Sequence, residues 1–598
     1  MKYKLLRGLR VLLACAMLLA VTSFFLDFDG KIPESLAWLE KIQFVAAILA
    51  GTWIAAAVAT LVATLLVGRI YCSVVCPLGI LQDVFSWIAG KSRALVSGKS
   101  APQPAKKTNE DAAKPAVKPK KVKKSWKNYV YRKNRPGVRF GFLILAVAAV
   151  FVGALPLFAL LDPYSIFGRI AVNVFKPIYV FVNNCLYELF QKSDSNGLKS
   201  ALYYVDLRPE SIGALVTGLV SFGVIAFFAG KFGRLYCNLI CPVGTFLGIF
   251  SRGALFKTRI DADKCISCGL CAKACKGGCI DFKNKQVDNS RCVVCFDCFG
   301  ACRKDAIHFE LGGRPKLAPS DADNSGDAAA KKTALDDDTL REKERIQREA
   351  QGFDRGKRNF ITLTALAATA AVAKLAAGAL QDAEPAPESA DSGETPVAPE
   401  EKPADYGLLP IKREFTISPP GSETHKRMYD KCISCHLCVA KCPSHVLKPS
   451  GFENGLKGFL QPRVDFAHGF CNFDCTMCGD VCPTGAIRPL TVEEKHLVQM
   501  GHVVFIKENC IVYARDEHCG ACSEHCPTQA VHMIPYGDAG LTIPETNVDL
   551  CVGCGGCEYI CPARPHRAIY IEGNPEHVQA TPPPKEETVE VEEVDFGF

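Results

Sequence analysis

The chain carries 31 cysteines, and nearly all of them fall in short, regular runs. The first run is Cys265, Cys268, Cys271, Cys275, and the second is Cys292, Cys295, Cys298, Cys302. The third is Cys432, Cys435, Cys438, Cys442. The fourth, with a wider first gap, is Cys471, Cys475, Cys478, Cys482. The fifth opens on a gap of eight residues: Cys510, Cys519, Cys522, Cys526. The sixth is Cys551, Cys554, Cys557, Cys561. A C-x2-C-x2-C-x3-C run wraps three thiolates around one [4Fe–4S] cube and sends the fourth to a neighbouring cube. Pro443, Pro483, Pro527 and Pro562 follow the last cysteine of four runs, the usual ending of such a motif. The spacing therefore implies six [4Fe–4S] clusters. Few histidines interrupt the runs, which disfavours zinc. An odd total and strong clumping disfavour a disulfide framework.

Four further thiols form two C-x3-C pairs, Cys72 with Cys76 and Cys237 with Cys241. They lie in a repeat: Gly68-Arg69-Ile70-Tyr71-Cys72 through Cys76-Pro77-Leu78-Gly79 recurs as Gly233-Arg234-Leu235-Tyr236-Cys237 through Cys241-Pro242-Val243-Gly244. On a helix, residues i and i+4 share a face, so each pair presents both sulfurs together. Three readings stand side by side: joint binding of a metal or cluster, redox-active dithiols, or a structural role. Cys15, Cys185 and Cys279 are left over. Cys15 and Cys185 read as small buried apolar groups. Cys279 competes with Cys275 as a ligand, and the spacing favours Cys275. In the first two runs Cys275 and Cys302 are expected to cross over; which of the later runs pair with which is not legible.

Haem is not expected. Cys432-Ile433-Ser434-Cys435-His436 fits the C-x-x-C-H attachment pattern, but Cys438 and Cys442 continue the cluster spacing without a break. Residues 1–307 contain no histidine, so no bis-histidine site exists there. His436, His445, His518, His525 and His566 read as surface or hydrogen-bonding groups.

Something must hold these sulfurs, and the rest of the chain is of two kinds. Of 598 residues, 48% are hydrophobic and 22% charged, and the mean hydropathy of +0.11 is high for a soluble protein. Four stretches lack charge and approach the ~20 residues of a bilayer span: Val11–Leu26, Ile42–Val67, Phe140–Leu161 and Ser211–Gly230. Phe360–Leu380 is a fifth, Ala-rich candidate. Short cytoplasmic loops collect Lys and Arg. Segment 91–135 holds fifteen of them against Glu110 and Asp111, whereas 162–210 holds five basic and five acidic residues. The N-terminus and the 68–138 loop are thus expected inside, and 162–210 outside. The net charge of +8 follows from this bias and from lipid attraction rather than from nucleic acid.

The expected fold class is an α-helical membrane domain of four spans plus a fifth anchor, joined to α+β ferredoxin-like 4Fe-4S domains. Residues 1–255 form the membrane domain with the duplicated motif. Residues 256–312 form a cytoplasmic two-cluster ferredoxin, 313–357 a charged linker, and 358–381 a fifth span or Tat-like signal anchor. Residues 382–405 are a flexible linker, 406–575 an outer four-cluster ferredoxin domain, and 576–598 an acidic tail.

The repeat, the spans and the two-cluster unit together resemble the NapH-type membrane iron–sulfur proteins, with parts shared by NosR and CcoG. Residues 405–575, with the long gap after Cys510 and the Cys551-Val552-Gly553-Cys554 ending, resemble NapG/MauM-type ferredoxins. Lys357-Arg358-Asn359-Phe360-Ile361 resembles a twin-arginine export signal with Lys at the first position; the alternative is a span flanked by positive charge. The resemblance implies a protein of the bacterial inner (cytoplasmic) membrane, with a cytoplasmic N-terminus and a periplasmic C-terminal domain. It implies electron transfer between the quinol pool and a periplasmic reductase or other redox protein, with quinol as a further cofactor. The alternative function is a maturation factor that delivers electrons to a metalloenzyme or thiol partner. No catalytic constellation or nucleotide-binding glycine loop is visible, and no output domain that would suit a redox sensor.

Overall fold

The computed structural model describes residues 2–27, 36–96, 129–191, 204–205, 212–311, 407–538 and 540–582. The segments read as linkers (313–357 and 382–405), the fifth apolar stretch, the export-like signal and most of the acidic tail lie outside the described residues. The described residues between 1 and 312 and those after 402 form one compact unit.

Its N-terminal part is helical. Besides a short turn of helix at Trp38–Lys41, its helices are α1 (Lys2–Leu26), α2 (Phe44–Ala50), α3 (Ile54–Val67), α4 (Tyr71–Val74), α5 (Pro77–Val96), α6 (Pro136–Phe151), α7 (Leu155–Ala159), α8 (Pro163–Ile170), α9 (Lys176–Gln191), α10 (Ile212–Phe232), α11 (Leu235–Leu239) and α12 (Pro242–Ser251). A π-helical turn, Ala171–Phe175, joins α8 to α9. Among the described residues, Leu5–Leu26, Pro163–Leu189 and Ile212–Phe232 are long and apolar enough to cross a membrane by length and composition.

The first and fourth apolar stretches are unbroken helices. The second is not: α2 ends at Gly51, whose φ of +73° is the left-handed turn that glycine adopts without penalty. The third breaks the same way at Gly153, φ +73°, where the Ala154 N–H closes back onto Ala149 O at 2.8 Å. The largest departure is 163–191, expected to lie in an outward loop and found as helix. Arg169 and Lys176 hide it from a hydropathy reading. Both are buried, at 1% and 8% exposure. Arg169 donates to Ala159 O at 2.9 Å and to Ser434 O at 3.4 Å, and Lys176 donates to Ala440 O at 2.8 Å. Two charges that resemble loop markers are bound to carbonyls, one of them in the helical part and two in the C-terminal part of the chain.

Residues 256–311 form a small α+β unit: β1 (Phe256–Ile260), α13 (Leu270–Ala274), β2 (Ile280–Asp281), β3 (Gln286–Val287), α14 (Asp297–Ala301) and β4 (Ile307–Leu311). β1 pairs antiparallel with β4, Phe256 opposite Leu311, and β2 with β3. The C-terminal part repeats this theme at greater length: α15 (His425–Lys431), α16 (Leu437–Lys441), β5 (Leu447–Pro449), β6 (Pro462–Val464), α17 (Met477–Asp480), β7 (Val498–Phe505), α18 (Ile511–Arg515), α19 (Ala521–Glu524), β8 (Val531–Tyr536), β9 (Leu541–Thr546), α20 (Gly556–Ile560) and β10 (Ile569–Gln579). β5 pairs with β6, β8 with β9, and β7 with β10. β10 runs to Gln579, past the boundary at 575 read from the sequence.

The two cysteine-rich units sit at opposite ends of α1. Near its start, Tyr3 stacks on Phe299 at 4.5 Å and Arg7 pairs with Asp297 at 2.8 Å. At its far end, Lys441 lies 4.5 Å from the Phe24 ring and forms an ion pair with Asp27, both charges nearly buried. A helix of 25 residues is about 37 Å long at ~1.5 Å per residue. Between the units the outward faces are apolar, with Leu19 69% and Phe151 86% exposed.

Candidate iron–sulfur centres

The loops that carry the cysteines have a common backbone. In four of the six runs, the residue before the second cysteine and the one after it both have positive φ. These are Ser267 and Gly269, Val294 and Phe296, Ser434 and His436, and Gly553 and Gly555. Alternating left-handed residues turn successive N–H groups toward one side, a concavity that favours anionic sulfur. At Gly553 a side chain is excluded twice over, by φ +73° and by Gly501 O, which lies 2.6 Å from where a Cβ would be. A helical turn follows each loop and ends at the last cysteine. The fifth run differs because its long gap contains α18, which ends at Asp516 in the left-handed region.

These loops bring sulfurs together across runs. Cys265, Cys268 and Cys271 line one cavity with Cys302. Cys292, Cys295 and Cys298 line another with Cys275 and Cys279. Cys510, Cys519 and Cys522 line a third with Cys561. Elsewhere sulfur–sulfur repulsion marks the neighbours. Burial, with Cys482 nearby, pushes Cys432 up to about 12, and Cys435 and Cys438 feel Cys482 as well. Burial pushes Cys471 up to about 12, with Cys442 and Cys475 close by, and Cys478 completes that set. Burial, Cys551 and Cys526 push Cys554 up to about 12, and Cys557 faces the same sulfurs. The third run thus exchanges its last cysteine with the fourth, and the fifth with the sixth. The second set has a surplus thiol: Cys279 lies 3.5 Å from Cys275, and its hydrogen bond holds Cys292 down at about 7.

Backbone donors point at the sulfurs. Ala306 N lies 3.2 Å from Cys302 Sγ, Gly553 N 3.4 Å from Cys551 Sγ, Ala568 N 3.4 Å from Cys561 Sγ and Ile487 N 3.5 Å from Cys482 Sγ. Such donors stabilise thiolate charge and tune the potential of a bound cluster. Among the described residues no three His, Cys, Asp or Glu converge as ligands of a single ion. His436 is 1% exposed, hydrogen-bonded to Leu460 O at 3.0 Å, and held near 3 by burial and by Arg169. It is a neutral side chain at a left-handed loop position.

The sets have an order. A main-chain hydrogen bond ties the second pair of C-terminal sets to the first: Cys471 N donates to Cys554 O at 2.9 Å. At the helical end, a Cβ on Gly168 of α8 would stand 2.3 Å from Cys435 O, so the third run packs directly on the helices. In the other unit, Val294 touches Gly68 and Arg234 feels Cys295, so the second run faces the helices and the first lies beyond it.

Between them lie Cys72, Cys76, Cys237 and Cys241, all 3–4% exposed. The two repeat copies interlock around them. Arg69 donates to Cys237 O at 3.0 Å, and Arg234 donates to Cys72 O. The glycine that ends each motif is required by this contact: a Cβ on Gly79 would stand 2.2 Å from Cys72 O, and on Gly244 2.3 Å from Cys237 O. Asp83 collects Arg234 at 2.8 Å, Arg10 at 3.0 Å and Lys276 at 3.5 Å, and so fastens the 256–311 unit to the helices. The roles of Arg69, Arg234, Gln82 and Asp83 escape a cysteine count. The arginine and glycine repeated in both copies were the available signal.

Comparison with known proteins agrees with this picture. The profile described as a 4Fe-4S binding domain matches residues 49–94 and 214–261, once on each helical copy. A second profile of that description matches 258–281, and a 4Fe-4S dicluster domain profile matches 431–486 and 517–564. The chain is 31% identical over 166 residues to the methylamine utilization ferredoxin-type protein MauM of Methylophilus methylotrophus, covering 25% of this chain and 69% of that protein. It is 32% identical over 164 residues to MauM of Methylobacillus flagellatus, covering 25% and 66%. It is 28% identical over 158 residues to the ferredoxin-type protein NapG of Escherichia coli K12, covering 24% and 65%. The chain thus spans about two thirds of the length of these relatives, and they span a quarter of it. No solved structure matches the chain. With several 4Fe-4S domains of this kind, the chain belongs to the MauM-type family of ferredoxin-type proteins.

Proposed function

We propose that the protein is a membrane-embedded electron carrier, linking the quinol pool on one side to a periplasmic reductase or other redox partner on the other. The observation that carries this reading is the placement of a cysteine-rich unit at each end of α1, a helix about as long as the ~30 Å hydrocarbon core is thick. The apolar outward faces between the units suit lipid, and burying them in water-excluded surroundings removes a patch that water would penalise. The basic flank at 91–135 supports an orientation with the 256–311 unit in the cytoplasm and the 407–582 unit outside. In this reading the helical part and its two-cluster unit are NapH-like, fused to a NapG/MauM-like four-cluster domain.

Six [4Fe–4S] clusters would be held by the twenty-four motif cysteines, with Cys275 rather than Cys279 in the second set. Bound clusters of this kind supply one-electron carriers at potentials set by their surroundings. The chain's own work is to space the six sets in one file, bury most of their sulfurs and aim N–H groups at them. It also holds the two units on the helices, through Asp83 and Lys276 at one end and Asp27 and Lys441 at the other. No residue is required to form or break a substrate bond.

The test uses membranes of known orientation. Protease added to intact spheroplasts should cut within 407–582 and spare 256–311, and inverted vesicles should reverse the pattern. Anaerobic addition of a quinol analogue should bleach the iron–sulfur absorption of both units. Cleavage of both units from the same face, or no bleaching of either, would overturn the reading.

A further inference from the structure

Electron transfer across the helical part needs a carrier inside it, and the four repeat thiols are arranged as one. We infer that Cys72, Cys76, Cys237 and Cys241 together ligate a single iron–sulfur cluster, shared by the two copies of the repeat. This deepens the proposed function and rests on it only for the purpose of the cluster, not for its existence.

Stoichiometry comes first. The 4Fe-4S binding profile matches twice in the helical part, yet each match contains only one C-x3-C pair. A cluster wants four thiolates, so neither copy suffices and the two together make one set. The interlock supplies that set. Each arginine reaches across to the other copy's cysteine carbonyl, and each terminal glycine leaves room for its own copy's cysteine carbonyl and for the crossing guanidinium. The four sulfurs are near enough to repel one another.

Charge comes second. Arg69 is fully buried, hydrogen-bonded to Asn238 Oδ1 at 2.8 Å, Ser290 O at 3.2 Å and Cys237 O at 3.0 Å. Among the described residues no carboxylate pairs with it. Arg234 shares Asp83 with two other cations. An uncompensated buried guanidinium is costly. Four neutral thiols do nothing to offset that cost, whereas a cluster held by four thiolates is an anion. Donors already face the sulfurs: Gln82 Nε2 lies 3.2 Å from Cys237 Sγ, Gly244 N 3.3 Å from Cys241 Sγ, and Arg69 Nη2 3.8 Å from Cys72 Sγ.

The site lies on the line between the units. Arg234 is within electrostatic reach of both Cys237 and Cys295, and on the other side Tyr236 neighbours Cys241 while Arg169 neighbours both Tyr236 and Cys435. On ligation four S–H protons leave and four Fe–S bonds form. Iron and sulfide come from the cluster-assembly reactions that load the other motifs. In turnover the cluster gains one electron and loses one.

The full chain, purified anaerobically, tests this. The double variant Cys76→Ser, Cys241→Ser should lose about two to four iron atoms with matching sulfide, and one paramagnetic component of the reduced protein. Cys15→Ser, Cys185→Ser should lose neither. Should the first variant fail to accumulate, Gln82→Leu leaves every ligand in place. It should shift the midpoint potential of one component downward and leave the others. Unchanged iron content in the double variant, or an unshifted set of potentials in Gln82→Leu, would overturn the inference. A cluster present at these cysteines without quinol reactivity would instead leave the site standing and remove the proposed function.

Discussion

At the scale of the residue, the exchange of last cysteines makes a sharp claim. Cys561 belongs to the sixth run by sequence and to the cavity of the fifth by position, beside Cys510, Cys519 and Cys522. Cys526 goes the other way, toward Cys551, Cys554 and Cys557. Cys561→Ala should therefore reproduce the electron paramagnetic spectrum of Cys522→Ala and not that of Cys554→Ala. Matching Cys554→Ala would refute the exchange. The cysteines themselves were legible, because a four-thiol run has few other uses. Their exchange was legible only by analogy in the first pair and not at all in the later ones, since spacing along the chain does not encode which loops fold face to face. Arg69 and Arg234 show the same limit. Their repetition marks them, but only the folded chain reveals that each serves the other copy.

At the scale of the element, small residues decide where helices stop and how closely the cysteine loops approach them. Gly51 and Gly153 end helices that hydropathy alone would run on, because an apolar stretch does not record the sign of φ. Gly168 acts differently: it lies inside α8 and leaves room for the Cys435 carbonyl. Gly168→Ala places a methyl carbon 2.3 Å from that oxygen, so one surface must give way. Overpacking of this kind costs ~1–3 kcal/mol. The variant should keep the full iron content of the 407–582 unit while its detergent-solubilised form melts several degrees lower by differential scanning calorimetry. An unchanged melting temperature would show that the approach of this loop to α8 is looser than it stands here. Helix 163–191 was the element that sequence reading lost, and the loss has a physical cause. Arg169 and Lys176 carry charges whose partners lie hundreds of residues downstream.

At the scale of the whole molecule, the helical part and both cysteine-rich units form one body, although 89 residues, 313–401, separate the units in the chain. Docking therefore does not depend on the connection. Cleaving the chain within 313–401 should leave the C-terminal unit attached to the helices. The near-buried pair of Lys441 with Asp27 is the fastening most exposed to test. Asp27→Ala strands the Lys441 ammonium, and breaking one side of a buried pair costs ~3–5 kcal/mol. After cleavage, the C-terminal fragment of that variant should elute free on gel filtration while the wild-type fragment stays bound. Co-elution in both would assign the docking to the remaining contacts, such as those of Arg169 with Ser434 O and Lys176 with Ala440 O.

The reciprocal grip of the two arginines has a consequence for descent. Neither half can be expressed alone with its chemistry satisfied, since each lends the other the carbonyl that steadies its buried cation. A gene encoding one such half would have had to work as a twofold pair, with identical loops clasping across the axis. Joined in one chain, the two sides are free to differ while both hold the 256–311 unit, the first through Arg69 on Ser290 O and the second through Asn238 on Gly277 O.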